Sequence, residues 1–432
     1  MSVNTVMSQI DRYQDELLRL CSSLIQCSSA HPAGRTVECV EVIREYCDCA
    51  GIQTSIHAKD LTKPNIVAHI HRTQTAPQSR HIAWVGHLDV VPEGKLEDWT
   101  HPPYSGDISP DGTIWGRGAS DMKGACAAAL VAARVLNDQE QLTNEIDFWF
   151  TADEEVGGIN GARWLAYEKI LRGDLCIIGD GSAGTLTNPA IDIGCKGIAG
   201  TRLITQGKTA HGSRPFLGDN ALDKILAVIP FVKQIAGYQL DIPSELTPIL
   251  DDTIRYLLND TDIPEHKKAI EELFQYPSVT LNLLSGGVKN NVVPDYAEAY
   301  FDIRLTPGCT PQHVRNRILA LVQESAIPNI SVEFPRASDK AGYYESTDSP
   351  FATILAQAVK QVTGYEPFYK ILTGGTDAVR IKRFIDIPCL GFGACIEGQA
   401  HVPNEHNHIT LLLMSSKVYA VFPLLYKLEP AS

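Results

Sequence analysis

Features that define membrane proteins and nucleic-acid-binding proteins are missing from this sequence. No stretch reaches the ~18 uninterrupted apolar residues that a membrane-spanning helix needs. Residues 1–11 lack the basic flank and apolar run of a secretory signal peptide, so a cytoplasmic protein is expected. Positive charge is also scarce, since 37 Lys and Arg stand against 51 Asp and Glu for a formal charge of −14. Binding to nucleic acid or to a membrane is therefore not expected.

Signs of a disulfide framework are absent as well. The 11 cysteines are odd in number and include no C-x-x-C pair. We interpret them as reduced and mostly buried, because free cysteine packs as a small hydrophobic side chain. Internal repeats and low-complexity segments are not visible, and the 44% hydrophobic and 20% charged content is typical of a globular protein.

The length and the order of the predicted elements suggest a divided architecture. The 432 residues predict two to three domains of about 150 residues each. Residues 1–195 alternate strands and helices, which favours an α/β sheet with helices on both faces. Residues 196–337 change to a β-α-β-β-α-β order, with an insertion at 238–276, and predict a small α+β sandwich. Because residues 338–432 return to the α/β pattern, the first domain is expected to be interrupted by the second.

Hydrophobic periodicity places the main elements of the α/β part. We predict helices at 5–27, 35–50, 122–136, 160–171, 350–363 and 409–428, and strands at 65–71, 81–86, 146–152, 175–179 and 387–391.

Five short segments end in side chains that can hold a divalent metal ion. They contain His87, Asp121, the acids Asp153, Glu154 and Glu155, Asp180, and His401. Two imidazoles and three carboxylates, with one further carboxylate as a base, are what a two-metal hydrolase requires. Three of these segments directly follow a predicted strand, which is where open α/β sheets place their sites.

Each of these residues also has an ordinary structural explanation. Asp121 enters a helix from a glycine-rich loop and suits a helix N-cap. The crowded acids suit an exposed loop, although their mutual repulsion favours a cation nearby. Of Glu154 and Glu155, one would bind metal while the other acts as general base, and spacing does not decide which.

Two further ambiguities concern histidines. Asp89, two residues after His87, can accept the second ring N–H of that imidazole and so fix its tautomer. His401 competes with His406 and His408 in the same segment, and spacing alone selects none of them.

Taken together, the motifs G-H-x-D-V-V-P, G-R-G-x-x-D-M-K-G and D-E-E-x-G resemble those of a known family. It is the co-catalytic zinc metallopeptidase and deacylase family that includes acetylornithine deacetylase, succinyl-diaminopimelate desuccinylase, aminoacylase and glutamate carboxypeptidase. The resemblance spans residues 10–428. It implies a mixed-sheet α/β catalytic domain interrupted by a ferredoxin-like lid that often mediates dimerisation, so a homodimer is expected.

The resemblance also implies a ligand set for two zinc ions, with Co²⁺ or Mn²⁺ as substitutes. Its members are His87 and Asp180 for one ion, Glu155 and His401 for the other, and Asp121 as the bridge. Glu154 would be the general base, with Asp89 behind His87.

Residues of the lid and of a late glycine-rich loop match positions that contact substrate in the family. They are Asn290, Asn291, Arg304, Gly375 and Thr376. His211 matches a histidine that reaches the partner's active site in dimeric members and would donate to a developing oxyanion. From sequence alone, His211 and Arg304 also suit an ordinary surface position.

The expected activity is hydrolysis of an amide in a small N-acyl amino acid or short peptide. Removal of an acetyl or succinyl group is favoured, because the lid motifs resemble those of the acetylornithine and succinyl-diaminopimelate enzymes most. A dipeptidase or carboxypeptidase would use the same site on a different leaving amine. A metal-binding or amino-acid-binding protein without activity is disfavoured, since it would have no need of Glu154.

Overall fold

The structure is a computed structural model, and it describes residues 2–71, 79–140, 142–260, 266–335 and 339–426. The chain packs into two compact units. The first comprises Met1–Gly194, Glu345–Leu372 and Thr376–Ser432, and the second comprises Cys195–Tyr344 with Thr373–Gly375. The sequence-based division at 195/196 and 337/338 stays a prediction about domains, because compact packing does not show that either unit folds alone.

The elements occur along the chain in three groups. In the first part of unit one they are α1 (Val3–Arg12), α2 (Gln14–Gln26), α3 (Val37–Cys49), β1 (Gln53–His57), β2 (Asn65–Ile70), β3 (His81–His87), β4 (Thr113–Trp115), α4 (Lys123–Asn137), β5 (Glu145–Thr151), α5 (Ala162–Tyr167), β6 (Leu175–Ile178) and β7 (Ala190–Cys195). In unit two they are β8 (Gly197–Ala199), β9 (Thr201–Gln206), α6 (Ala221–Lys233), α7 (Thr247–Asp260), α8 (Lys267–Glu271), β10 (Ser278–Gly286), β11 (Tyr296–Leu305), α9 (Pro311–Glu324), β12 (Ile330–Glu333), β13 (Asp339–Lys340) and β14 (Tyr343–Tyr344). The return to unit one adds α10 (Pro350–Thr363), β15 (Phe368–Leu372), α11 (Ala378–Ile385), β16 (Cys389–Gly391), β17 (His406–His408) and α12 (Ile409–Leu425).

Unit one is built on a mixed sheet in the order β1-β2-β5-β3-β6-β16-β7, with β15 also paired to β7. The central strands β3, β5 and β6 are buried along nearly their whole length, which explains their continuous apolar runs. The alanine-rich helix α4 is also buried almost all round and packs against α12, α2 and the sheet. Its small side chains allow this close approach.

The register of the central strands determines where the site lies. β3 runs parallel to β5, with His87 opposite Thr151, and parallel to β6, with Val85 opposite Ile178. The residues that follow these three strands therefore emerge side by side at one edge of the sheet.

Unit two is a smaller α+β arrangement. Its sheet has the order β12-β9-β11-β8-β13, with β10 paired to β11, and α6 and α9 pack together, with α6 against β9 and β11. The core includes Leu203, Ile225, Val228, Phe301 and Ile318. Read in chain order, β9, α6, β10, β11, α9 and β12 give the predicted β-α-β-β-α-β pattern. The predicted fold class, an α/β unit interrupted by an α+β unit, is confirmed.

Several local predictions differ from the structure. The helix expected at 5–27 is two helices, because the chain turns at Tyr13, whose N–H bonds the Ile10 carbonyl three residues back. In unit one, strands β1, β4, β7, β15 and β17 and helix α11 were not predicted. Among the described residues, no helix is both long and apolar enough to cross a membrane.

Candidate metal centre

Four of the five predicted metal ligands meet at the sheet edge, centred on Asp121. One carboxylate oxygen of Asp121 lies 3.1 Å from His87 Nε2, and the other lies 3.2 Å from His401 Nε2. The same His401 nitrogen is 3.1 Å from Glu155 Oε1. Ligand atoms of His87, Asp121 and Glu155 all lie within 4.8 Å of one another. The two oxygens of Asp121 thus face two different imidazoles.

The protonation equilibria of this cluster are strongly shifted. Burial lowers the pKa of His87, but its hydrogen bond to Asp121 and the nearby carboxylates outweigh burial and raise the pKa well above 6.5. Hydrogen bonds to Asp121 and Glu155 raise the pKa of His401 to about 10. Burial, together with the charge of Asp121, raises the pKa of Glu155. Imidazoles and carboxylates such as these must give up their protons before they can bind a metal ion.

Asp180, the fifth predicted ligand, follows β6 after one glycine. It interacts electrostatically with the other acids of the cluster and with His87. Burial raises its pKa well above 3.8, and the charges of Asp121, Glu154 and Glu155 raise it further, while His87 opposes the rise. A buried carboxyl among three other acids favours either a bound proton or a cation beside it.

The tautomer of His87 is fixed by a backbone group rather than by the expected carboxylate. His87 Nδ1 donates to the Asp89 carbonyl oxygen at 2.9 Å, whereas the nearer Asp89 carboxylate oxygen is 3.8 Å away. The ring therefore turns its Nε2 towards Asp121, as a metal ligand should.

The Asp89 carboxylate instead binds the backbone of the turn that carries Glu154 and Glu155. It is fully buried and accepts the backbone N–H groups of Glu154 at 3.0 Å and Glu155 at 3.1 Å, and it pairs with His31 Nε2 at 2.9 Å. Asp89 thus holds the short turn that presents both glutamates. This positions the candidate ligand and the candidate base at once.

A second buried carboxylate organises the loop that carries Asp121. Glu405 Oε1 accepts the backbone N–H groups of Gly118, Ser120 and Asp121 at 2.9–3.0 Å. Its Oε2 pairs with the buried guanidinium of Arg117 at 2.6 Å. The loop conformation therefore depends on an acid that is distant in sequence.

Glu154, the candidate base, is held by an ion pair that sequence reasoning missed. Arg380 Nη1 lies 2.5 Å from Glu154 Oε1 and 2.5 Å from Asp377 Oδ1. Burial raises the pKa of Asp377 to about 6, an effect that Arg380 opposes. The signal available in the sequence is the i,i+3 Asp-Arg spacing at the start of α11, directly after Gly374-Gly375-Thr376.

His406 and His408, the competitors of His401, have other roles. His406 Nδ1 donates to the Asn404 carbonyl, and its ring packs 4.7 Å from the Trp115 ring centroid. His408 caps α12 by accepting the Thr410 N–H. His401 alone of the three reaches the acids, from a left-handed backbone conformation (φ 65°) of the kind found at functional sites.

The predicted site residues of unit two are His211, Asn290, Asn291 and Arg304. His211 is exposed, and its Nδ1 bonds the Ser213 hydroxyl at 2.7 Å. The neighbouring Gly212 N–H donates to the Asn291 carbonyl, which ties the His211 segment to the Asn290–Asn291 loop. Arg304 forms a two-pronged ion pair with Asp302, at 2.7 and 2.9 Å.

Gly375 and Thr376 lie next to α11. A side chain at Gly375 would meet nothing within 4 Å, so the backbone there is open to a ligand. Thr376 is 7% exposed, and its Oγ1 accepts the Ala378 N–H. The substrate-binding roles assigned to these residues and to those of unit two stay predictions.

A cluster of imidazoles and carboxylates beside a glutamate fixed by an ion pair, here Glu154 with Arg380, is typical of a metal-dependent hydrolase. Residues 83–424 match the model of Peptidase family M20/M25/M40. The chain belongs to this family, and it is a hydrolase. The predicted family resemblance is confirmed.

Similar proteins include one curated relative and two solved structures. The chain is 27% identical over 420 residues to the succinyl-diaminopimelate desuccinylase of Rhodopseudomonas palustris (strain BisB18), covering 94% of this chain and 96% of the relative. The M20 family metallo-carboxypeptidase Sso-CP2 from Sulfolobus solfataricus superposes with a TM-score of 0.78 at 20% identity, covering 95% of this chain and 99% of the other. The dipeptidase Dug1p from Saccharomyces cerevisiae gives 0.75 at 17% identity, with 98% of both chains covered.

Proposed function

We propose that this protein is a two-zinc amidohydrolase that removes an acetyl- or succinyl-type N-acyl group from an amino acid or related amine. The observation that carries the proposal is the position of Asp121, whose two oxygens face His87 and His401 separately. A carboxylate in this position is suited to bridge two cations.

The donor set fits a pair of zinc ions, with Co²⁺ or Mn²⁺ as substitutes. His87 and Asp180 would hold one ion, Glu155 and His401 the other, and Asp121 would join them. Bound in this way, the ions would act as Lewis acids on the substrate carbonyl and lower the pKa of nearby water.

The protein's own residues would then manage the proton. Glu154 would take a proton from the attacking water and return it to the nitrogen of the leaving amine, so that the amide C–N bond breaks and an acid and a free amine result. Arg380 fixes one Glu154 oxygen, and the other would take part in the proton transfer. Asp89 holds the backbone of the same turn.

The substrate would be bound by residues of unit two and of the late glycine-rich loop. His211 would donate to the oxyanion that forms on the carbonyl, and Asn290, Asn291, Arg304, Gly375 and Thr376 would contact the remainder of the substrate. Arg304 must then exchange its Asp302 partner for a substrate carboxylate, which the partly exposed position of the pair permits.

A dipeptidase or carboxypeptidase activity is the second candidate. It is supported by the fold similarity to a carboxypeptidase and to a dipeptidase, whereas the desuccinylase relative supports the first. A panel of N-acetyl, N-succinyl and N-formyl amino acids and simple dipeptides, assayed with added zinc, separates the two. Faster turnover of dipeptides than of every N-acyl amino acid would replace the first candidate by the second.

The role of Glu154 is tested by Glu154→Gln, with the exposed Glu168→Gln as a matched control. We expect Glu154→Gln to retain zinc and lose about a hundredfold or more in kcat, while Glu168→Gln keeps normal turnover. A Glu154→Gln enzyme with normal zinc content and kcat within tenfold of the unmodified protein would contradict the assignment.

We further propose a homodimer in the cytoplasm. The edge strand β10 and the loop after it expose Leu283 (65%), Leu284 (46%) and Val288 (93%), and a paired copy would cover these apolar side chains. All 11 cysteines are free, as expected in a reducing compartment. Sedimentation equilibrium of the intact chain and of Leu283→Lys tests the dimer, and a monomeric unmodified protein would exclude it.

A further inference from the structure

A second group of side chains of the types that bind metal ions lies in unit one. Asp147 on β5 is surrounded by three imidazoles. His69 Nδ1 is 2.6 Å and His71 Nε2 2.9 Å from one carboxylate oxygen, and His81 Nε2 is 2.8 Å from the other. Ligand atoms of His69, His71 and Asp147 all lie within 4.8 Å of one another, as do those of His87, Asp121 and Glu155.

The strand register brings these side chains to one face of the sheet. His69 on β2 is directly opposite Asp147, and on the other side of β5 Asp147 is opposite Ala83. Because side chains alternate between faces with a period of two, His71 and His81 share the face of Asp147.

This group is separate from the predicted catalytic centre. His81 begins β3 and His87 ends it, and six residue steps of extended strand span about 20 Å. Asp147 is likewise near the start of β5, whereas Glu154 and Glu155 follow its end. The two groups therefore occupy opposite ends of the same strands.

The chemistry of the group suits a transition-metal ion. Imidazole with one carboxylate is a donor set that zinc, nickel and copper accept. The ligands of a tetrahedral zinc lie about 2.0–2.1 Å from the ion and hence about 3.3 Å apart. The contacts of Asp147 with His69 (2.6 Å) and His71 (2.9 Å) would therefore open by roughly 0.4–0.7 Å. Asp147 is 4% exposed and His71 is exposed, so the negative charge is buried while the approach from solvent is open.

Neighbouring groups orient two of the partners. The Ser55 hydroxyl bonds His69 Nε2 at 2.8 Å, which leaves Nδ1 directed at Asp147. His81 holds the second carboxylate oxygen and so restrains its rotation. Such partners of the ligands raise metal affinity by fixing tautomer and orientation.

We propose that His69 Nδ1, His71 Nε2 and Asp147 form an additional divalent-metal site, with His81 supporting Asp147 and solvent completing the coordination. The site joins β2 to β5 away from the catalytic centre, and its effect is to stabilise unit one. It does not depend on the proposed function.

The test uses untagged, full-length protein and zinc alone. After chelation and reloading with excess zinc, bound metal is counted by mass spectrometry, and the melting temperature is measured with and without zinc. The variants are His71→Gln and Asp147→Asn, and the control is His101→Gln, a histidine that also pairs with an aspartate, Asp107.

We expect both variants to bind about one zinc per chain fewer than the unmodified protein and the control, with hydrolytic turnover unchanged. The rise in melting temperature on adding zinc should also be smaller in the variants, since a ligand that binds the folded state stabilises it. Should Asp147→Asn fail to fold, the more exposed His71→Gln decides the question alone. Equal zinc content in His71→Gln and the control would overturn the proposal and leave a hydrogen-bonded histidine network.

Discussion

Replacing the buried Glu405 by Gln should both destabilise unit one and weaken the metal centre. Glu405 is 0% and Arg117 2% exposed, and the two pair at 2.6 Å. Gln would keep one oxygen for the three backbone N–H groups, but its NH₂ would face the guanidinium. Removing one partner of a buried ion pair costs about 3–5 kcal/mol.

We expect the lower end of this range, because Arg117 also donates to the carbonyls of Val402 and Pro92. A loss of about 3 kcal/mol corresponds to a decrease in melting temperature of about 6 °C for a unit of this size. Since three amides around Asp121 depend on Glu405, zinc should also dissociate more readily from the variant.

The assay is thermal unfolding of chelated protein, followed by a competition titration of zinc against a chromophoric chelator. The double variant Arg117→Met/Glu405→Gln is the matched control, because it removes both charges while Gln still offers an oxygen to the three backbone N–H groups. It should regain part of the lost stability but not the zinc affinity. A decrease below 1 °C for Glu405→Gln, or a double variant less stable than the single one, would refute the reasoning.

Three further predictions concern single side chains. Burial lowers the pKa of Lys196 to about 8 in the folded protein, whereas its ordinary value is about 10.4. Between these two pH values the unfolded chain holds a proton that the folded chain has lost, so stability rises with pH. In urea unfolding, the free energy of unfolding of Lys196→Met minus that of the unmodified protein should therefore be about 2–3 kcal/mol more favourable at pH 7 than at pH 10. The same difference at both pH values would count against this prediction. Arg380→Met should lower kcat about tenfold to a hundredfold with zinc retained, and Arg380→Lys should recover part of the loss; normal kcat in Arg380→Met would show that Glu154 needs no such support. His401→Ala should lose zinc and activity in a metal-reconstitution assay while His406→Ala retains both, and the reverse pattern would reassign the ligand.

Much of the fold was accessible from sequence because its central strands are buried on both sides. Continuous apolar runs identified β3, β5 and β6, and the acids and histidine that follow them identified the site edge. β1 escaped prediction because it is polar and half-exposed, and its pairing with β2 is a long-range property.

The partners of the site residues were harder to predict. His31 reaches Asp89 across 58 residues, and Glu405 reaches the Asp121 loop across 284. Local spacing carries no information about such contacts. The His87–Asp89 spacing also could not show which Asp89 group fixes the His87 ring. The carbonyl does so because the Asp89 carboxylate is directed at the Glu154 backbone instead.

We propose that Asp121 bridges two metal ions held by side chains that are distant in sequence. Anomalous diffraction at the zinc edge from zinc-loaded crystals tests it most directly. We predict two peaks that share Asp121 as a ligand, one also bound by His87 and Asp180 and the other by Glu155 and His401. A zinc-loaded crystal with no peak at Asp121, or with His401 bound to neither ion, would contradict the account.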